Sequence, residues 1–214
     1  MKKLLLVFAM FVGTTFSASA QVQQGSILVD AYYGFTNIPG ALYNSNWDFE
    51  AEYWGATEAN TSGLGPIGIR AEYLATDKLG LGIDFALNTN SASFVGTDYV
   101  NGEEISFDTE GSSTKWGAMI TLNYHAFTNE VIDFYIMGGA GYKNRTSTLT
   151  TTNPNYTDEQ FNDQAIGLTP ETSIPLAARL GLGLRIFFTE NIGANVGLGF
   201  GQGGILNAGL SFAF

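Results

Sequence analysis

Between residues 27 and 214 apolar side chains recur at every second position, in short runs separated by polar segments. A period of two places those side chains on one face of a β-strand. The first run, 27–35, sets Ile27, Val29, Ala31, Tyr33 and Phe35 on its apolar face. The second, 66–75, sets Ile67, Ile69, Ala71 and Tyr73 there. Leu79, Leu81, Ile83, Phe85 and Leu87 open the third run, and Trp116, Ala118, Ile120, Leu122 and Tyr124 form the fourth. Ile132, Phe134, Ile136, Ala140 and Tyr142 mark the fifth; 176–186 and 192–200 supply the sixth and seventh. The last run, 206–214, alternates through Leu210, Phe212 and Phe214. Segments of ~9–11 residues have the length a tilted strand needs to cross a bilayer, and about eight of them make the smallest common closed barrel.

Short and long connections alternate. Thr76-Asp77-Lys78, Thr128-Asn129-Glu130 and Thr189-Glu190-Asn191 sit between strand patterns in closely similar local sequences. They recur at roughly sixty-residue intervals, an internal repeat of hairpins. Thr, Asp and Asn suit such turns because their side chains bond the neighbouring backbone. The long segments are 36–65, 88–114 and 144–175, whereas 201–204 is short. Asn101-Gly102 predicts a two-residue hairpin turn. Leu79 and Tyr124 lie symmetrically about it, so the third and fourth strands are expected to run on as one acidic ribbon.

The face opposite the apolar one distinguishes a barrel from a soluble sandwich. It holds many glycines and isolated charges of both signs: Asp30, Arg70, Glu72, Asp84, Lys115, Asp133, Lys143, Arg179 and Arg185. Water would favour a dense Lys/Glu surface there; a narrow interior favours Gly and pairs of opposite charges. On a lipid face each such charge would cost ~2–4 kcal/mol near the midplane. The expectation is a salt-bridged interior, with a narrow conduction path as the alternative. Tyr32, Tyr33 and Phe35 at one end, and Tyr73, Tyr124, Phe127, Phe187 and Phe188 at the other, are placed as aromatic girdles.

The chain begins with a basic Lys2-Lys3, an apolar run to Val12 and the small-x-small triplet Ala18-Ser19-Ala20. This pattern predicts a signal peptide over 1–20, with cleavage expected after Ala20 and 21–214 left as the barrel domain. Composition narrows the classes further. The chain has no Cys, 20 acidic and 9 basic residues, and a formal net charge of −11. Thiol chemistry is excluded, and an acidic chain does not suit nucleic acid.

Candidate chemistry is sparse, with no catalytic, cofactor-binding or metal-binding set in the sequence. The single His125 has inward parity beside a short turn, which reads as a rim residue, and no partner is identifiable. Trp47, Asp48, Glu50, Glu52 and Trp54 in the first long segment are the surface-loop candidates. In an extended conformation the three carboxylates would share one face and suit a divalent cation; a solvated acidic surface is the plainer reading. The aromatic residues would contact an extracellular ligand, or pack within the loop.

The leader, the repeated hairpins and the closing strand together resemble the small bacterial outer-membrane β-barrel family, with its OmpA-like and OmpX-like barrel domains. The resemblance spans nearly all of 21–214. It implies a transmembrane antiparallel up-and-down β-barrel with short periplasmic turns and long extracellular loops, monomeric among lipid and lipopolysaccharide. It also implies that Leu210, Phe212 and Phe214 form the signal read by the barrel-assembly machinery. What it implies about function is coarse: a structural or surface-interaction role with no wide pore. A narrow channel for small hydrophilic or amphipathic solutes is the alternative, and a lipid-modifying enzyme is less favoured.

Overall fold

A computed structural model describes residues 22–35, 38–164 and 174–214. The leader and its cleavage site lie outside the described residues. Strands β1 (Ile27–Phe35), β2 (Asn60–Thr76), β3 (Leu79–Val100), β4 (Glu103–Thr128), β5 (Ile132–Thr151), β6 (Leu176–Phe187), β7 (Ile192–Gly201) and β8 (Leu206–Ala213) form a closed antiparallel barrel in sequence order. β1 pairs with β8 from Leu28↔Ala213 to Phe35↔Leu206. Below that register, Ile27 and Phe214 exchange two backbone hydrogen bonds of 2.9 Å. The ring therefore has no open edge among these strands.

The three short turns share one device. The Thr76 hydroxyl accepts from the amides of Lys78 (3.2 Å) and Leu79 (3.0 Å). Thr189 does the same for Asn191 and Ile192, and the Asn129 carbonyl for Val131 and Ile132. Each side chain replaces a ladder partner that the reversing backbone has lost.

The alternation separates two environments. Ile83, Ile120, Leu122, Leu180, Leu198 and Leu210 are exposed around the outer wall, Ile120 at 71%. Asp30, Asp133, Arg185 and Ser211, one residue out of phase, are 0% exposed. An apolar band on this scale is not stable in water, and lipid satisfies it. No helix among the described residues is long and apolar enough to cross a membrane.

Two features differ from expectation. First, the wall is uneven. β2 starts at Asn60 and β5 runs on to Thr151, so four strands, β2–β5, rise far above the rim made by β6, β7, β8 and β1. The long segments 36–65 and 144–175 were expected to be loops, but parts of each extend strands. A register shift between Leu64 and Ile67 brackets Pro66, which has no amide hydrogen to give to a ladder. Second, segment 36–65 contains a helix, α1 (Ile38–Tyr53), and a one-to-two-turn α2 (Asp158–Gln164) follows β5. Tyr43, Trp47 and Ala51 of α1 pack with Phe94, Phe107, Leu149 and Phe161 against the tall sheet. The hairpin tip forms as expected, with Asn101 (φ 54°) and Gly102 (φ 86°) both left-handed.

Candidate functional site

Inward-facing residues from β1, β2, β3 and β5 converge on two guanidinium groups, those of Arg70 on β2 and Arg185 on β6. Arg185 donates to Asp30 (2.9 Å from Nε, 2.8 Å from Nη2), to Glu72 (2.9 Å) and to Asp133 (2.7 Å). Arg70 forks onto Asp84 at 3.0 and 2.9 Å, and reaches Asp30 at 3.3 Å and the Tyr135 hydroxyl at 3.0 Å. The planar five-donor guanidinium allows one residue to tie three strands together. Remaining acceptor positions are taken by the Tyr32 hydroxyl on Asp84 (2.8 Å) and the Ser211 hydroxyl on Asp30 (2.7 Å).

Aromatic faces complete the plug. The Arg185 guanidinium lies 4.2 Å from the Tyr135 ring centroid, and that of Arg70 lies 5.2 Å from Tyr32. Cations over a ring face in a dry site are each stabilised by about 2 kcal/mol. The inner-face glycines make room for these rings. A Cβ on Gly183 would strike the Tyr135 ring, and one on Gly68 the Tyr32 ring.

His125 lies deep in this network, which corrects its expected rim position. Nδ1 is 2.6 Å from Asp133 and Nε2 is 2.7 Å from Glu72, with all three side chains fully buried. Both nitrogens can donate only in the imidazolium form. The partners are carboxylates already known from parity to face inward, but Glu72 lies 53 residues away, and only strand register brings it to His125.

Below the plug, toward the short turns, Val22, Leu28, Leu74, Phe187 and Ala213 form an apolar floor. Above it, the turn between β7 and β8 folds into the lumen. Gly201, Gly203 and Gly204 all have positive φ, which permits the inward course. The Gln202 side chain donates to Asp84 (3.1 Å) and to the Gly117 carbonyl (3.2 Å). Arg179 holds the turn by donating to the Gln202 and Gly204 carbonyls. Sequence reasoning missed Gln202, since a short loop carries no parity; the Gly-Gln-Gly-Gly string was the available signal.

The nine inner charges therefore divide. Asp30, Arg70, Glu72, Asp84, Asp133 and Arg185 are joined in one network with His125. Lys115, Lys143 and Arg179 make no ion pair with an acidic residue among the described residues. Lys115 and Lys143 instead line a cavity of about 470 Å³ above the plug.

The surface-loop candidates are also redistributed. Helical spacing separates Asp48, Glu50 and Glu52, which were expected to share a face: Glu50 is buried, Glu52 is exposed, and Asp48 accepts from the Ala59 amide at 3.1 Å. No group of acidic or imidazole side chains suited to a metal ion occurs among the described residues. Trp47 is fully buried, and Trp54 stacks on Phe161 at 5.4 Å, so both aromatics serve the core of the cap that α1 and α2 form on the tall sheet. Burial of the Tyr43 hydroxyl in that cap pushes its pKa up to about 12. At the hairpin tip Asp98 accepts from Asn153 and Asn155 at 2.9 Å, which holds its carboxyl below the ordinary value. Leu210, Phe212 and Phe214 stand in or beside β8, Leu210 facing outward and Phe212 paired across the strand with Val29.

No family model and no curated protein matches the chain. Among solved structures it is similar to the N-terminal β-barrel domain of Pseudomonas aeruginosa OprF, at 16% identity and a TM-score of 0.42 over 90% of this chain and 99% of that one. It is similar to the outer membrane protein OprG of Pseudomonas aeruginosa at 9% identity and a TM-score of 0.42, covering 92% and 99% of the two chains. Ail, the attachment invasion locus protein of Yersinia pestis, gives 11% identity and a TM-score of 0.41, with 89% and 99% covered. The architecture itself rests on the register of this chain: eight strands that close edge to edge, with an apolar outer face and a polar, ion-paired interior, make it a small β-barrel of the outer-membrane type.

Proposed function

We propose that this chain is an outer-membrane barrel that acts through its outer surface and cap, as a structural or surface-interaction protein, and neither conducts solutes nor performs a reaction. One observation carries the reading: the lumen is filled in three successive layers. These are the apolar floor of Leu28, Leu74 and Phe187, the plug built on Arg70 and Arg185, and the inserted Gln202. An eight-stranded barrel is only just wide enough for side chains to fill it, so three layers leave no continuous water path. The Glu72–His125–Asp133 set resembles an acid–base arrangement, but its full burial gives no substrate an approach. Supporting the surface role, the cap has its own aromatic core, above a wall that suits lipid.

The partners proposed are membrane lipid and lipopolysaccharide around the wall, the assembly machinery at β8, and an extracellular ligand on the cap. The test is planar-bilayer recording from purified protein. The expected result is an absence of steady unitary conductance in 1 M salt. Reproducible steps would overturn the plugged reading and favour the narrow channel.

A further inference from the structure

The lumen's charges are sorted by height. All four inward carboxylates of the plug, Asp30, Glu72, Asp84 and Asp133, sit in the lower half, each bonded to one or two of the three basic groups Arg70, Arg185 and His125. At the next level up the charged inward side chains are cationic. Lys115 and Arg145 are register partners across β4 and β5, and Lys143 stands opposite Gly117, two residues along. All three are half-buried. None meets a carboxylate among the described residues. With 20 acidic residues against 9 basic in the chain, acidic partners are not scarce. Like charges gathered in a low-dielectric recess repel one another and focus a positive potential on the space between them.

Lys115 and Lys143 line the 470 Å³ cavity together with Asn88 and Gln202, and Arg145 stands beside it as the register partner of Lys115. Its mouth lies where the wall drops. β5 continues to Thr151 while β6 begins only at Leu176, so the upper part of β5 has no β6 partner. Ile38, Leu176 and Phe200 are among the apolar residues that line the cavity, and Phe200 is 77% exposed on the outer face. One continuous recess thus joins a cationic interior to an apolar outer rim.

We propose that this recess binds an amphiphilic anion, with a phosphate or carboxylate head between Lys115 and Lys143 and an alkyl chain against Leu176 and Phe200. The site is a dead end, since Gln202 and the plug close it from below. The proposal rests on the membrane placement given above but is independent of whether the barrel conducts.

The test uses protein folded in neutral detergent, with heat-dependent gel migration reporting the closed barrel separately. Hexyl phosphate, inorganic phosphate and hexanol are titrated by calorimetry. Hexyl phosphate should bind saturably and at least about tenfold more tightly than either fragment. Lys115→Gln with Lys143→Gln should weaken it at least about tenfold while gel migration is unchanged. If that double variant does not fold, each single variant should still weaken hexyl phosphate and leave hexanol unaffected. Inorganic phosphate binding as tightly as hexyl phosphate would overturn the amphiphile assignment. Hexanol binding as tightly would overturn the anion site, and no saturable binding by a correctly folded barrel would overturn both.

Discussion

Arg185→Gln is the perturbation that most directly tests whether the plug is an electrostatic unit. The guanidinium makes four hydrogen bonds of 2.7–2.9 Å to Asp30, Glu72 and Asp133 with no exposure to solvent. Summing four charge-assisted bonds at ~1.5–3 kcal/mol each would overstate the effect. Each carboxylate keeps another partner: Asp30 keeps Arg70 and Ser211, while Glu72 and Asp133 keep His125. What is lost is one positive charge among buried carboxylates, a loss of about 3–5 kcal/mol. The assay is reversible urea unfolding in lipid vesicles, read by tryptophan fluorescence and gel migration. The same reasoning fixes a second number. Adding Asp30→Asn to Arg185→Gln removes the excess negative charge, so the double variant should recover at least ~1 kcal/mol relative to the sum of the two single losses. A loss below ~1 kcal/mol for Arg185→Gln, or strict additivity in the cycle, would refute the reasoning.

Three further outcomes are expected. Gly183→Val should destabilise the barrel by about 1–3 kcal/mol, because the new side chain must displace the Tyr135 ring, while Gly138→Ala, with open space around its Cβ, should stay within about 0.5 kcal/mol; urea unfolding compares them. Trp47→Ala removes the largest fully buried side chain of the cap and should cost the cap about 3–5 kcal/mol, read as rapid proteolysis within 38–58 while the membrane-embedded fragment keeps its folded gel migration. The Asp98 carboxyl titrates below its ordinary value of 3.8 when folded, so its bonds to Asn153 and Asn155 contribute in full above that value and are lost as pH falls through the lower folded value; the side-chain amide resonances of both asparagines should shift together in that window, and Asp98→Asn should abolish the shift.

What could be read in advance followed parity. Alternation assigned inner and outer faces because the two environments, lipid and a crowded polar lumen, impose opposite demands on adjacent residues. It stopped working where that contrast stops. Just above the lipid belt both faces turn polar: Ser91, Ser112 and Thr148 look outward much as Asn88 and Ser113 look inward, so the upper ends of β2 and β5 were invisible, whereas the Asn101-Gly102 turn marked those of β3 and β4. The helix in 36–65 left a legible trace, since Tyr43, Trp47, Ala51 and Trp54 recur at helical spacing and Pro39 suits a first helical turn. The segment was instead expected to be a loop, in keeping with its acidic and aromatic composition. Of the inner cluster, orientation was legible and pairing was not. Glu72, His125 and Asp133 could be placed inward one strand at a time, but their meeting depends on register shifts, one of them between His125 and Phe127.

The ring also has consequences for the order of events in folding. Every strand interface but one joins neighbours in sequence; the exception, β1 with β8, joins the two ends of the barrel. Asp30 is on β1, and its strongest partners, Arg185 and Ser211, lie 155 and 181 residues later in the chain. Until the seam shuts, an advancing sheet carries that carboxylate with Arg70 on the adjacent strand but without Arg185 or Ser211, in surroundings that penalise an incompletely paired charge. Sealing the seam and neutralising the acid are then one step, so a half-wrapped sheet gains little and late closure is steeply cooperative. The residue that begins the barrel is a sensor of whether its last strand has arrived.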